Sequence, residues 1–275
     1  MRVDQAAQLR TDALLASSGA GAPNPKARRI AVTSGKGGVG KTNLAANLAI
    51  ALSQAGQRVL VLDADLGLAN VEVLLGLTPD ASLADVLAGQ RSLRQAICPG
   101  PAGIGVLPGG AGVPELAQLD AGERDAVVAL LEELDASADI VVVDTGAGVG
   151  NHVLAWLQAV DEVLVVTTPE PAAIADAYAV LKAVSWFGAV PHLGLVVNQA
   201  TDGGEAATAE AALLGVAKRL LRLTVRPYGV IPRDDTVPRA VREQVPVLLS
   251  WPRSPASMGI RRIAQLLLID ARREQ

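Results

Sequence analysis

From Arg29 onward, the chain alternates short apolar runs, rich in β-branched residues, with longer stretches of helical periodicity. The apolar runs, which predict strands, are Ile30–Val32, Val59–Leu62, Ile140–Val143, Val163–Val166, Leu193–Val197 and Tyr228–Ile231. Helical patterns follow or separate them at residues 42–54, 123–135, 151–158, 172–187, 205–222 and 256–269. Because continuous apolar strands between helices are buried on both faces, we expect an α/β fold with a mostly parallel central sheet and helices on both faces.

The N-terminal residues differ from the rest of the chain. Asp4–Arg10 runs into Ala13–Leu15 with apolar residues at helical spacing, and Ser17–Lys26 has the composition of a flexible linker. Two interpretations stay open on this pattern: a tethered helix that binds a partner protein, or a frayed tail. We assign residues 1–28 to this segment and residues 29–275 to a single domain.

Composition narrows the classes of protein that fit this pattern. Half of the 275 residues are hydrophobic but only 2% are aromatic, which suits Ala- and Leu-rich helices packed on a Val-rich sheet. The net charge of −4 and the pI near 5.3 argue against a general polyanion binder, so we expect no specific nucleic-acid ligand. The sole cysteine, Cys98, excludes an internal disulfide or a cysteine-ligated cluster within one subunit.

The expected location is cytoplasmic. The N-terminus has acids and glutamines and lacks the continuous apolar core of a signal peptide. No apolar run reaches the ~18 residues that a membrane-spanning helix needs. His152 and His192 have no Cys or His nearby in sequence, so neither one indicates a metal site.

The strongest motif is the glycine-rich segment Gly35–Thr42, GKGGVGKT, between a predicted strand and a predicted helix. Glycines let backbone N–H groups curl around phosphate oxygens, and the helix that follows directs its dipole at the same anion. Lys41 is expected to reach the β- and γ-phosphates, and the Thr42 hydroxyl to bind Mg²⁺. The sequence therefore predicts an ATP/ADP and Mg²⁺ site formed by Gly35, Lys36, Gly37, Gly38, Val39, Gly40, Lys41, Thr42 and Asn43.

Acidic residues end two of the predicted strands near this loop. Asp63 and Asp65 close one strand as Asp-Ala-Asp, and alternation directs both carboxylates to the same side. Asp144 ends another strand at the Walker B position, where it would hold the Mg²⁺ shell. The loop that follows, Thr145–Gly148, is expected to sense the γ-phosphate. For each acid alone, the alternative is a structural cap.

A second lysine, Lys36, lies within the glycine-rich loop, too early to curl back easily onto its own γ-phosphate. On chemistry alone, two roles stay open. It either neutralises transition-state charge on nucleotide bound by a partner subunit or is a solvated loop residue.

Taken together, these motifs resemble those of the MinD/ParA ATPases. The paired lysines of Gly35–Thr42 resemble the deviant Walker A motif of that family. Asp63–Asn70 (DADLGLAN) and Asp144–Gly148 (DTGAG) resemble its switch loops, and Thr168–Pro171 resembles the stretch that follows. The resemblance covers residues 29 to about 269 and implies a P-loop NTPase fold of the MinD/ParA type.

Within that family, the chain is similar to the flagellar-number regulators of the FlhG group, also called FleN or YlxH. The similarity rests on Asp63–Leu77, Leu83–Leu87 with Gly89, Val106–Gly110 and the N-terminal Asp4–Arg10. In that group the N-terminal element binds FlhF, a GTPase of the signal-recognition-particle type, and stimulates its hydrolysis. The resemblance thus favours the partner-binding interpretation of the N-terminal helix, through Asp4, Gln5, Gln8, Leu9 and Arg10.

The resemblance also implies roles within an ATP-sandwich homodimer. Lys41 and Thr42 would bind phosphate and Mg²⁺, Lys36 would act across the dimer, and Asp65 would orient or activate water. The magnesium shell would be served by Asp63 and Asp144, with Thr42.

The base would be bound by a second group of residues. The resemblance implies that Asn198, at the end of the Leu195–Val197 strand, contacts adenine. The loop that closes over the base would contain Pro232, Arg233 and Asp234. Arg233 occupies a variable position of that loop.

The last predicted helix has two interpretations. Ile260, Ile263, Ala264 and Leu267 share one face, which fits a helix packed on the core. MinD-like proteins commonly end in an amphipathic membrane-targeting helix with similar spacing. We favour the core interpretation and keep recruitment to the inner membrane surface or cell pole as the alternative.

We therefore expect an ATP-dependent, dimerising switch that hydrolyses ATP slowly and regulates flagellar number or placement. Its expected partners are an FlhF-like GTPase and a flagellar transcription regulator. The alternatives are a ParA-like partition ATPase that binds DNA nonspecifically and a MinD-like cell-division ATPase. A reductase related to nitrogenase iron protein is disfavoured because the chain has no paired-cysteine site.

Overall fold

The computed structural model describes residues 26–65, 70–110 and 123–273. The predicted partner-binding residues of segment 1–25 therefore lie outside the described residues. So do residues 66–69 of the Asp63–Asn70 motif.

The described elements alternate as the sequence predicts. The strands are β1 (Arg28–Ser34), β2 (Val59–Ala64), β3 (Cys98–Pro99), β4 (Gly105–Leu107), β5 (Ile140–Ala147), β6 (Glu162–Thr167), β7 (His192–Ala200) and β8 (Val225–Pro232). The helices are α1 (Lys41–Gln54), α2 (Val71–Leu75), α3 (Leu83–Leu87), α4 (Leu93–Ala96), α5 (Glu123–Leu134), α6 (Asn151–Ala159), α7 (Pro171–Val184), α8 (Gly203–Val216), α9 (Thr236–Glu243), α10 (Val247–Ser250) and α11 (Pro255–Arg273). A π-helical turn, Ala217–Leu221, follows α8 directly.

Within the described part of the chain, these strands form one eight-stranded sheet in the order β3-β4-β2-β5-β1-β6-β7-β8. Every pairing is parallel except that of β3 with β4. Strand β1 is central, with β5 on one side and β6 on the other. The predicted α/β fold with a mostly parallel sheet is confirmed.

The structure differs from the sequence-based expectation in the short elements. Strands β3 and β4 were not predicted, because runs of two and three residues are too short to show a period. Helix α9 was not predicted either: it contains Pro238 and buries only Ala240. The helix expected over 205–222 is α-helical only to Val216 and then widens into the π-helical turn.

The sheet has an apolar layer on each face. On one face lie α5, α6, α7 and α8, and on the other lie α1, α2, α10 and α11. Strand β1 contributes to both layers, because alternate side chains point to opposite faces: Ala31 belongs to the first, and Ile30 and Val32 to the second. Burial on both faces explains why the strands appear in the sequence as unbroken apolar runs.

Helix α11 packs on α1 and β8. Its predicted apolar face is buried, since Ile260, Ile263, Ala264 and Leu267 are each at most 3% exposed. Burying a large aliphatic side chain in this way stabilises the fold by about 2 kcal/mol. The core interpretation of this helix is confirmed. No helix in the described residues is long and apolar enough to cross a bilayer.

Candidate functional site

The glycine-rich loop joins the end of β1 to the start of α1, at the carboxyl edge of the sheet. Gly40 precedes α1 with φ 93°, a conformation that favours glycine, and no side chain caps the helix there. The first N–H groups of α1 therefore have no side-chain acceptor at the cap and fit an anion. Gly35 is equally constrained, because a Cβ there would lie 2.0 Å from the carbonyl oxygen of Asp176 in α7.

Asp144 is the buried centre of the phosphate side of the site. It lies near Lys41, and the Thr42 side chain hydrogen-bonds to its carboxylate. Burial, together with the nearby charge of Asp63, raises the pKa of Asp144 to about 7, against the lowering effect of Thr42 and Lys41. One carboxylate oxygen, Oδ1, is buried and has no hydrogen-bond partner. An unsatisfied buried carboxylate oxygen beside a hydroxyl fits a hard cation such as Mg²⁺.

A Mg²⁺ ion held here would depend on oxygens from outside the protein for its other ligands. The described residues contain no group of three or more His, Cys, Asp or Glu side chains arranged to hold a metal ion. Mg²⁺ in nucleotide sites is usually bound by one or two carboxylates together with phosphate and water oxygens. Thr42 and Asp144 are the protein groups that fit this pattern.

Asp63 is placed beside Asp144 but is bound differently. The two residues are paired in register on β2 and β5. The Asp63 carboxylate accepts hydrogen bonds from the backbone N–H groups of Asp65 (3.0 Å), Asn70 (3.0 Å) and Val71 (3.1 Å). Burial nevertheless raises its pKa to about 6. Asp63 therefore ties the loop after β2 to the start of α2, as the capping interpretation expects, and its metal role stays a prediction.

Asp65 follows the end of β2 and is partly buried. Its Oδ1 atom lies 3.6 Å from the position that a Cβ on Gly146 would occupy, so it borders the C-terminal end of β5. The structure thus brings Asp65 together with Asp63 and Asp144, since both Asp63 and Asp65 contribute to the raised pKa of Asp144. Its role in orienting water stays a prediction.

Lys36 lies on the outer side of the loop. Its Nζ donates a hydrogen bond to Oε2 of Glu170 at 3.1 Å, just before α7, and its side chain is 43% exposed. The Ser34 hydroxyl donates to the backbone oxygen of Lys36 at 2.7 Å, which fixes the start of the loop. The lysine side chain therefore contacts Glu170 in the single chain.

The residues predicted to bind the base meet around one cavity of about 210 Å³ next to the loop. Its lining includes the predicted residues Gly40, Asn43, Asn198, Pro232, Arg233 and Asp234. Asn198 donates from Nδ2 to the backbone oxygen of Val39 at 2.7 Å. The cavity is therefore joined directly to the phosphate loop.

Gln199 is a lining residue that the sequence did not single out. Its Nε2 donates to the backbone oxygen of Gly38 at 3.3 Å, so Asn198 and Gln199 bond consecutive carbonyls of the loop. Gln199 has φ 59°, a conformation that is uncommon outside glycine. Its position after Asn198 at a strand end was the available signal.

The loop after β8 is fixed by its own polar contacts. Asp234 accepts hydrogen bonds from Thr236 and from the backbone N–H of Ala256 at the start of α11. Burial alone would raise the pKa of Asp234, but these hydrogen bonds outweigh it and hold the pKa below its usual value. The backbone N–H of Arg233 donates to Ala200, and its side chain is exposed. Asp234 thus positions the loop, and a base contact from Arg233 stays a prediction.

Comparisons with known proteins agree with this geometry. Residues 30–247 match the family model described as the CobQ/CobB/MinD/ParA nucleotide binding domain. The chain is 42% identical to the antiactivator FleN of Pseudomonas aeruginosa, over 86% of this chain and 84% of that protein. It is 38% identical to the flagellum site-determining protein YlxH of Helicobacter pylori, over 87% of this chain and 81% of that protein.

A solved structure supports the same fold. The septum site-determining protein MinD of Pyrococcus horikoshii, solved as a complex with Mg-ADP, superposes with a TM-score of 0.75. The sequences are 26% identical, and the match covers 88% of this chain and 96% of that one.

Proposed function

Because this chain belongs to the CobQ/CobB/MinD/ParA nucleotide-binding family, we propose that it is an ATP-hydrolysing switch that dimerises with ATP and regulates flagellar number or placement. The observation that carries the proposal is the environment of the Asp144 carboxylate. Its Oδ1 atom is buried and has no hydrogen-bond partner, and the carboxylate accepts a hydrogen bond from the side chain of Thr42, at the start of α1. This arrangement suits Mg²⁺ and a nucleotide phosphate together.

Each part of the site has a defined task in hydrolysis. The loop N–H groups and Lys41 would bind the phosphates, and Thr42 and Asp144 would hold the metal, with Asp63 fixing the loop beside it. Bound Mg²⁺ would supply positive charge that neutralises the phosphate oxygens. Asp65 would orient the attacking water, which is supported by its place beside the end of β5. A two-state switch works through the differential binding of its ligands, so slow turnover is expected.

The switch itself depends on a second copy of the chain. We infer that ATP favours a homodimer in which Lys36 reaches the nucleotide of the partner subunit. The exposure of Lys36 and its position on the outer side of the loop support this role. Its ion pair with Glu170 involves two exposed side chains, so breaking it costs less than about 1 kcal/mol.

The flagellar role is supported by the similarity to the FleN and YlxH proteins. We propose that residues 4–10 bind an FlhF-like GTPase, that a flagellar transcription regulator is a further partner, and that the protein is cytoplasmic with recruitment to the membrane surface or cell pole. Deleting residues 1–20 is expected to leave ATP hydrolysis intact and to remove stimulation of that GTPase. Loss of folding in the deletion would instead make the segment structural.

The decisive experiment measures the mass of the Asp65→Ala variant by size exclusion with light scattering. With ADP we expect the mass of one 28.2 kDa chain, and with Mg-ATP twice that mass, because ATP is bound but not hydrolysed. Lys41→Ala is the matched control and should remain monomeric with either nucleotide. An unchanged mass in the Asp65 variant, with ATP shown to be bound, would contradict the dimer switch.

A further inference from the structure

His152 lies in the first turn of α6, directly after the loop that follows β5. Its imidazole folds back onto that loop. A Cβ on Gly150 would lie 2.7 Å from the ring Cε1 atom and 3.0 Å from Nδ1. The ring can occupy this place only because residue 150 has no side chain.

The same ring also reaches Gly146. Its Nε2 atom is 3.7 Å from the position that a Cβ on Gly146 would take, and Oδ1 of Asp65 is 3.6 Å from that position. The apolar Cγ2 atom of Val153 is 3.6 Å away and forms another wall. An imidazole nitrogen and a carboxylate oxygen therefore border one space about the size of a methyl group.

From this geometry we propose that His152 is a positioning residue for ATP hydrolysis, which holds the Asp65 carboxylate through the space beside Gly146. Contact is made through one bridging water, since the imidazole N–H can donate to it and the carboxylate oxygen can accept from it. His152 does not touch the nucleotide; it acts through Asp65. The proposal rests on the proposed function, in which Asp65 orients the attacking water.

The contact would also join two loops that ATP must order. Asp65 belongs to the loop after β2, which Asp63 ties to α2. Gly146 lies near the end of β5, and His152 lies in α6, after the loop that follows β5. Such a link would keep Asp65 in place only when the loop after β2 and the end of β5 are both ordered. The orientation of the attacking water would then be coupled to the binding of the γ-phosphate.

The test compares kcat and KM for ATP in variants of residue 152. His152→Ala should lower kcat about tenfold and change KM less than about twofold, because ground-state binding is untouched. His152→Gln should restore most of kcat, since its amide nitrogen can occupy the place of Nε2. His152→Asn reaches only the place of Nδ1 and should not. His192→Ala, at the opposite edge of the sheet, is the matched control and should keep the wild-type kcat.

Glycine substitutions test the geometry without removing the imidazole. Gly150→Ala would displace the ring, so it should lower kcat in the wild-type chain and have no effect in the His152→Ala background. Gly146→Ala places a methyl group at ordinary contact distance from both Nε2 and Oδ1, in the space of the bridging water, so it should lower kcat without destabilising the fold. Melting temperatures of all variants are measured in parallel.

The outcomes separate this inference from the proposed function. A wild-type kcat in His152→Ala, with a reduced kcat in Asp65→Ala, overturns the inference alone. If His152→Gln and His152→Asn lose the same share of kcat and both melt at lower temperatures, His152 has only a structural role. That result also overturns the inference. If Asp65→Ala hydrolyses ATP normally, the proposed role of Asp65 fails and the inference fails with it. A further loss in the Asp65→Ala, His152→Ala double variant would show that His152 does not act through Asp65.

Discussion

The two edges of the sheet differ in whether their buried acidic residues form ion pairs. At the amino edge, acidic residues are paired with bases: Arg29 contacts Asp135 at 2.8 Å, and Arg28 pairs with Glu162. At the carboxyl edge, Asp63 and Asp144 lie in register, and in the described part of the chain neither forms an ion pair with a base. At the amino edge the protein itself supplies a base for each of these acids, whereas the carboxyl edge is suited to a ligand that brings positive charge.

Because of this difference, the free-energy cost of burying uncompensated carboxylates falls on the carboxyl edge of the sheet. Burial disfavours the ionised form of both carboxylates, and the charge of Asp63 adds to this effect at Asp144, so the pKa rises to about 6 for Asp63 and about 7 for Asp144. At the amino edge burial also raises the pKa of Glu162, but the charge of Arg28 opposes that rise. Among the described residues, the two acids with a raised pKa that lack an ion pair lie at the carboxyl edge, which indicates where the fold gives up stability for function.

The largest expected effect is that of Lys41→Ala at the carboxyl edge. Removing this buried ammonium should weaken ATP binding by about 4 kcal/mol, roughly a thousandfold, because a phosphate loses a charge-assisted partner. Titration calorimetry with ATP and with ADP measures the change. Lys36→Ala, in the same loop but exposed, is the matched control and should retain binding to a single chain. Retained affinity in Lys41→Ala would refute the phosphate-site assignment.

Arg29→Ala tests the amino edge. Arg29 is 3% exposed, and its loss leaves Asp135 without its partner, so the free energy of unfolding should fall by about 3 kcal/mol. ATP affinity should not change, because the start of β1 is about 20 Å from the loop at its end. Urea denaturation and nucleotide titration give the two numbers. An equal loss of affinity would mean that the two edges are not independent.

The Asp144→Asn substitution should raise the free energy of unfolding, whereas Arg29→Ala should lower it. In the nucleotide-free protein at pH 8, the substitution removes an unfavourable buried charge and should raise the free energy of unfolding by about 2 kcal/mol. Magnesium-dependent ATP hydrolysis should be lost in the same variant. Urea denaturation at pH 8 measures the change in stability, and phosphate release from Mg-ATP measures the loss of hydrolysis. A destabilised variant at pH 8 would show that Asp144 is already compensated within the protein.

The pH dependence of the free energy of unfolding extends the same comparison. The folded-state pKa values of Asp63 and Asp144 are raised above the ordinary 3.8, so the folded protein binds protons more tightly than the unfolded chain. Their contribution to stability is fully present below pH 3.8 and is lost as the pH rises through about 6 and about 7. The advantage of Asp144→Asn over the wild type should therefore shrink as the pH falls below about 7 and disappear below pH 3.8, which urea denaturation at a series of pH values measures.

Arg58→Ala should have the smallest effect. Its ion pair with Asp139 is at the amino edge, but both side chains are about one third exposed. Solvent screening should limit the loss of stability to less than about 1 kcal/mol. Comparison with Arg29→Ala by urea denaturation separates the effect of burial from that of charge pairing. A loss as large as that of Arg29→Ala would remove the distinction.

The sequence predicted those parts of the molecule that follow from local pattern. Apolar runs located the six longer strands, β1, β2 and β5–β8, and the glycine-rich motif located the loop between β1 and α1, because both depend on neighbouring residues. Strands β3 and β4 were missed because runs of two and three residues are too short to show a period. The bonding of Asp63 was also hidden, since both a metal ligand and a cap place an acid at a strand end.

The missed site residues share the same cause. His152 showed no chemical pattern in the sequence, since its neighbours Gly146 and Asp65 meet it only through the fold. Gln199 bonds a loop about 160 residues earlier, through a backbone conformation that no local signal announces. Local sequence thus identifies the charged groups of the site. The residues that position these groups can be identified only from contacts between segments that are distant in the sequence.

The paired carboxamides of Asn198 and Gln199 have a consequence for how the protein measures its ligand. They bond the carbonyls of Val39 and Gly38, so the cavity is held against the glycine-rich loop. If a nucleotide binds as proposed, the distance between its base and its phosphates must match the distance between the cavity and the loop. Inorganic phosphate or a free base would then occupy only one of the two places and could not replace a complete nucleotide.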